Sequence, residues 1–281
     1  MNMKMKRLFL RLAFFIILGL VLFYIIFPFY WMIVNSLKAS NELFITPVTY
    51  LPNRFNLENY QRVLSSGSFV RCLINSIVVS SGTTILALIL GSLSAYVLAR
   101  YRFPGRQSTL YIILGMSTFP QIAILGGLFT LIRAMHIYNT YWALIFSYTI
   151  FTLPFCVWVL TSFMREIPAS LDEAALIDGA TPWQILWKVL FPLVIPGIVA
   201  TGLLSFINAW NEFLFALTLT VNDKARTVPV AIALFSGQSE YELPWGQITA
   251  ASVLVCLPVI LIALIFQKRI VEGLTSGSVK G

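Results

Sequence analysis

The sequence predicts an all-α, polytopic membrane protein with six transmembrane helices, and three observations lead there. Of its 281 residues, 58% are hydrophobic and only 11% are charged, with a mean hydropathy of +0.85. A typical soluble domain is ~25% charged, so a soluble globule of this size could not cover its surface, and disorder needs the opposite balance. Six charge-free runs, at 12–37, 72–99, 107–132, 134–164, 189–211 and 243–267, each exceed the ~20 apolar residues of a bilayer-spanning helix. None alternates in the ~10-residue blocks of a membrane barrel, and a helix satisfies its own backbone hydrogen bonds within lipid.

The elements follow in order. Lys4, Lys6, Arg7 and Arg11 before the first run resemble a secretory signal. The run is too long for an apolar core of ~7–15 residues and no small-x-small cleavage site follows, so a retained helix is expected. An outer loop over 38–71 is polar and turn-rich, with a short surface helix near 57–64. The second span carries Ala87, Gly91 and Ala95, a spacing of small residues that permits close helix contact. A basic inner hairpin, 100–106, leads to the third span, where Pro120-Gln121 marks a plausible kink. A turn near His136 and Asn139 joins it to the fourth, where Pro154 marks a second plausible kink. An inner loop at 165–192, the fifth span, an outer loop at 221–246 and the sixth span complete the chain. The expected segments are 1–70 (tail, first helix and outer loop), 71–267 (membrane core with the inner loop 165–192) and 268–281 (tail).

Basic residues set the orientation. Lys4, Lys6, Arg7, Arg11, Arg100, Arg102, Arg106, Arg165, Lys188, Lys268, Arg269 and Lys280 fall on one side. Lys38, Arg54, Arg62, Arg71, Arg133, Lys224 and Arg226 fall on the other. The side holding twelve of the 19 is the cytoplasmic one, which places both termini inside. The net charge of +8 is thus a membrane-topology signal, with no basic face interleaved with aromatics that would bind nucleic acid. Cys72, Cys156 and Cys256 form no CxxC or Cys/His cluster and read as small core residues.

The inner loop is amphipathic. Ser170 and Glu173 have capping-box spacing at the start of a short helix, which Asp178-Gly179 should end. Thr181-Pro182 should start a second helix, with a hydroxyl at the N-cap and proline at the first helical position. That helix should run to Pro192. The pair could be an interfacial hairpin anchored by Trp183 and Trp187, or a rigid knob offered to a soluble partner with Glu173 and Asp178 at its tip.

The run Glu173-Ala-Ala-Leu-Ile-Asp178-Gly-Ala180, followed by Leu190-Phe-Pro192-Leu-Val-Ile-Pro196, resembles the EAA loop of ABC-importer permeases. Phe27-Pro-Phe-Tyr-Trp31, Tyr101-Arg-Phe-Pro-Gly105, Ala209-Trp-Asn-Glu-Phe213 and the tail from Gln267 to Thr275 resemble their carbohydrate, maltose-type branch. This resemblance implies the type I importer transmembrane fold and a place in the bacterial inner membrane. It implies a sister permease, two ATPase subunits that hold ATP and Mg, and an extracytoplasmic sugar-binding protein as partners. It also implies that the loop enters a cleft on an ATPase subunit, with Glu173 as docking carboxylate, Ala174, Ala175 and Ala180 allowing close approach, and Gly179 making the turn.

No stretch fits GxxxxGK[ST], so the chain lacks a phosphate cradle of its own. His136, the one histidine, leaves no Ser/His/Asp set, so no enzyme, cofactor or metal is expected. Along the fifth span Thr201, Ser205, Asn208 and Glu212 recur on one helical face. They read as a hydrophilic lining or as interhelical hydrogen-bonding residues. Glu212 lies ~24 Å beyond Pro196 along a helix, toward the outer side. A self-contained carrier, the alternative function, would need coupling-ion carboxylates or inverted halves, and Glu212 is the one carboxylate expected within a span.

Overall fold

The computed structural model describes residues 3–235 and 243–276, with side chains placed for Arg7, 10–235 and 243–267. The expectations for 236–240 and the last five residues therefore lie outside the described residues. The chain forms two compact units, residues 1–67 with 234–257 and residues 68–233 with 258–281. Among the described residues the regular structure is helical throughout.

In the first unit, α1 (Met3–Ser36) is followed by a 3₁₀ turn (Ser40–Glu42) and α2 (Glu58–Ser65), the expected surface helix. The outer loop between them is more ordered than its polar composition suggests. Lys38 is 2% exposed, donates to the Thr49 carbonyl at 2.6 Å and lies over the Trp31 ring. The Glu42 carboxylate accepts from the Asn53 amide at 2.8 Å. Asn59 donates to the Ser36 and Lys38 carbonyls. Each buried polar group is thereby paired, as burial requires.

The second unit begins with most of α3 (Gly67–Arg100). Then come α4 (Arg106–Met116), α5 (Gln121–Ala134), α6 (Tyr141–Glu166) and α7 (Ser170–Ile177). Next are α8 (Pro182–Gln184), a π-helical turn (Ile185–Leu190), α9 (Phe191–Leu193) and α10 (Ile195–Trp210). α11 (Leu214–Leu219) and α12 (Val228–Ala233) complete that stretch. α13 (Trp245–Ser276) belongs to the first unit up to Leu257 and to the second from Pro258.

Among the described residues four helices are long and apolar enough to cross a membrane, and up to six if each of two bent pairs is one span. The third span is α4 and α5, which meet at 90° around Pro120; the fifth bends by 80° between Leu193 and Ile195. Pro154 sits inside a helix that runs unbroken from Tyr141 to Glu166.

The long helices of the second unit pack through small residues. Ala87 and Ala95 are fully buried, and a Cβ at Gly91 would stand 2.8 Å from the Cys156 Cβ, so α3 and α6 approach closely. At Gly197, near the start of α10, a Cβ would meet the Phe163 ring at 2.6 Å. Four buried hydroxyls on α6 are satisfied within the helix, as Ser147, Thr149, Thr152 and Thr161 donate to carbonyls four residues back. At the far end of α3, Asn75 donates to the Asp223 and Arg226 carbonyls and accepts from the Tyr141 hydroxyl at 2.7 Å. The segment after α11 is thus pinned to α3 and α6.

Candidate functional site

Two features stand at opposite ends of α10, a polar cavity and a protruding knob. The cavity has a volume of about 510 Å³ and is lined by Ser117, Phe119 and Gln121 from the α4–α5 break. Asn208, Asn211, Glu212 and Phe213 line it from the end of α10, and Tyr148, Phe151 and Thr152 from α6. Both interruptions in the helical backbone therefore open onto one space. Irregular backbone is tolerated at membrane depth where it lines such a cavity.

The expected stripe on the fifth span divides. Asn208 and Glu212 reach the cavity, whereas Thr201 and Ser205 are fully buried. Thr201 donates to the Gly197 carbonyl at 2.6 Å, and Ser205 pairs with the Cys156 sulfur at 3.2 Å. These two serve helix packing within the chain. Nor is Glu212 within a helix, as the span reading had it. α10 ends at Trp210, and the Glu212 carboxylate accepts the Phe215 amide at 2.8 Å and the Ala216 amide at 3.1 Å. It caps α11, where a negative charge meets the positive end of the helix. The cavity consequently presents amides, hydroxyls and aromatic rings around a carboxylate already engaged by backbone. Sequence reading missed Gln121, Tyr148, Thr152 and Asn211 as lining residues. The polar side chain directly after Pro120 was the available signal for the first of these.

The knob differs from its sequence reading in two places. The expected capping box of Ser170 and Glu173 does not form. The N-cap is Ala169, whose carbonyl accepts from the Glu173 amide, and no side chain caps the helix. The Glu173 carboxylate carries no hydrogen bond or ion pair among the described residues. The second helix does not stop at Pro192 either; it runs through a π turn to Leu193. Pro192 occupies an early position of α9, where its missing N–H costs little.

Other expectations hold. Gly179 has φ +80°, the left-handed turn that glycine adopts without penalty. Thr181 and Gln184 form a reciprocal capping box. The base of the knob is anchored because Ile185, Leu186, Leu190 and Val194 are buried with Ala95, Tyr96, Leu160 and Met164 at the ends of α3 and α6. Of the three alanines expected to admit a partner, Ala174 is exposed, whereas Ala175 and Ala180 pack against this cluster instead. The tip is bare, with Ile177 86% exposed beside exposed Ala174, Asp178 and Gly179. The tip thus presents an apolar side chain with carboxylates beside it, on an anchored base.

One further contact was not anticipated. The Arg100 guanidinium, at the end of α3, pairs with the Asp172 carboxylate of α7 at 2.8 Å and donates to the Ile167 carbonyl at 3.0 Å. Burial holds the Asp172 carboxyl above its ordinary value, against the opposing pull of Arg100.

Comparison with known proteins bears on these features. The sequence signature of the binding-protein-dependent transport system inner membrane component family matches residues 87–276, which include the cavity and the knob. The chain is 45% identical to the trehalose/maltose transport system permease protein MalG of Thermococcus litoralis, covering 95% of this chain and 96% of that protein. It is 42% identical to the trehalose transport system permease protein SugB of Mycobacterium tuberculosis, covering 93% and 95%. Its fold is similar to a chain in the crystal structure of a bacterial ABC transporter involved in the import of the acidic polysaccharide alginate. That match has a TM-score of 0.81 and 23% identity, covering 95% of this chain and 98% of the other.

Proposed function

The chain belongs to the binding-protein-dependent transport system inner membrane components, and from that footing we propose that it passes neutral sugars through the 510 Å³ cavity while the knob receives force from a separate ATPase. As a multi-pass permease subunit of an ABC sugar importer, it supplies the path and not the hydrolysis. The single observation carrying this reading is the meeting of two helix breaks, Ser117–Gln121 and Asn211–Phe213, at one cavity lined by amides and aromatic rings. Sites for small polar ligands combine apolar walls with a few oriented polar groups, and amides can both donate to and accept from sugar hydroxyls.

The remaining parts follow from the same arrangement. The knob lies on the cytoplasmic side together with both termini. Its bare Glu173, Asp178 and Ile177 enter a cleft on one of two ATPase subunits. A sister permease closes the open side of the cavity, and an extracytoplasmic binding protein delivers the sugar. The relatives named for trehalose and maltose support a glucose disaccharide as the first candidate cargo. A carrier driven by an ion gradient is less well supported, because Glu212 is occupied by two backbone amides.

Affinity purification of the tagged chain from membranes, followed by reconstitution with its binding protein, tests this reading. A sister permease and an ATPase subunit should co-purify, and trehalose or maltose should accumulate only with internal ATP. Uptake by the chain alone under an ion gradient would refute it.

A further inference from the structure

We infer that Arg100 is a positioning residue for transport, tying α7 of the knob to the inner end of α3 so that displacement of the knob moves α3 together with α10. This rests on the permease reading above. The knob has an evident covalent path to the cavity, running through α8, the π turn and α9 into α10. Its leading helix is attached differently. α7 buries none of its residues fully, so apolar packing alone gives it little purchase. The Arg100–Asp172 ion pair supplies an electrostatic tie, with the two side chains only 10% and 14% exposed.

The tie is part of a closed set. Arg100 also donates to the Ile167 carbonyl in the α6–α7 linker, while Arg165 at the end of α6 donates back to the Leu98 carbonyl on α3. The ends of α3, α6 and α7 are thereby joined. At its middle α3 is seated on α6 through Gly91 and Cys156, and α6 lines the cavity with Tyr148, Phe151 and Thr152. Movement of α7 accordingly has a second route to the cavity, independent of the bend at Val194. Burial raises the Asp172 carboxyl in spite of Arg100, and the neighbouring Glu173 adds to the rise. Buried ion pairs often break even or lose against apolar replacements, and position explains this one better than stability does.

The test uses the full importer in vesicles, assembled with its sister permease, ATPase subunits and binding protein. Arg100→Cys/Asp172→Cys removes the pair, and a reducible bis-methanethiosulfonate linker then restores a tie within the same folded protein. Sugar taken up per ATP hydrolysed should fall about tenfold without the linker, recover when it is attached and fall again on reduction, since coupling between sites of ~1–3 kcal/mol corresponds to ~5–150-fold. Arg100→Met/Asp172→Leu should assemble and show the same low ratio, which separates lost geometry from lost folding. A wild-type ratio in either unlinked variant, or a ratio that the linker does not raise, overturns the inference. Wild-type vesicles that hold no ATPase subunit overturn the permease reading and the inference with it.

Discussion

Gly91 of α3 and Cys156 of α6 stand so close that a Cβ on the glycine would lie 2.8 Å from the cysteine Cβ, with Cys156 backbone next in line at 3.5 Å. Backbone cannot swing aside as a flexible side chain can. Gly91→Val should therefore cost ~1–3 kcal/mol through overpacking and lower the thermal midpoint of the purified complex. Gly115→Ala, which lies within α4 and meets nothing within 4 Å, is the control that should not lower the midpoint.

At Gly179 the constraint is conformational. No atom lies within 4 Å of a Cβ built there, yet φ is +80°, which disfavours a side chain by ~1–2 kcal/mol and least for Asn. Gly179→Val should disorder the tip and abolish uptake, while Gly179→Asn retains most of it. Glu173→Lys should leave the thermal midpoint unchanged, because the carboxylate is exposed and unpaired among the described residues, and should abolish uptake by reversing a docking charge. Midpoints and ATPase co-purification measured side by side check both.

The two polar residues at the end of α10 should behave differently. Glu212→Ala removes the acceptor of two α11 amides and should cost ~0.5–2 kcal/mol, as loss of a helix cap does. Asn208→Ala touches only the cavity and should weaken sugar uptake at unchanged stability. Uptake against sugar concentration, set beside thermal unfolding, separates them, and an Asn208 variant with unaltered uptake would remove it from the path.

Asp172 gives a pH signature of defined sign. Its folded carboxyl titrates above its ordinary value of 3.8, so the folded state binds its proton more readily than the unfolded chain does. The resulting stabilisation is fully present below that ordinary value and is lost as the pH rises through the raised one. The midpoint of the wild type relative to Asp172→Asn should therefore rise as the pH falls from 7 toward 4. A difference that stays flat or reverses would contradict the shift.

Six spans were legible in the sequence because lipid imposes one demand, apolar length, that charge-free runs display directly. The small residues at 87, 91 and 95 were legible as contacts for the same reason. The breaks in the third and fifth spans were legible only as proline positions, since a 90° bend depends on a partner surface that single-chain periodicity does not encode. Glu212 was misplaced because the apolar run from Ile195 marks a span by its composition and does not show that the helix ends at Trp210. Ser170 and Glu173 had the right spacing for a cap, but the helix began around Ala169 instead, a shift of the kind that spacing alone cannot resist. The Arg100–Asp172 contact joins residues 72 positions apart, beyond any local pattern.

Fixing both oxygens of Glu212 on the start of α11 also bears on the energetics of transport across a polarised membrane. A charge that crosses the field exchanges ~2.3 kcal/mol per 100 mV with it, but a carboxylate held by two amides travels only if α11 travels too. Glu212 should then add little to any dependence of turnover on voltage.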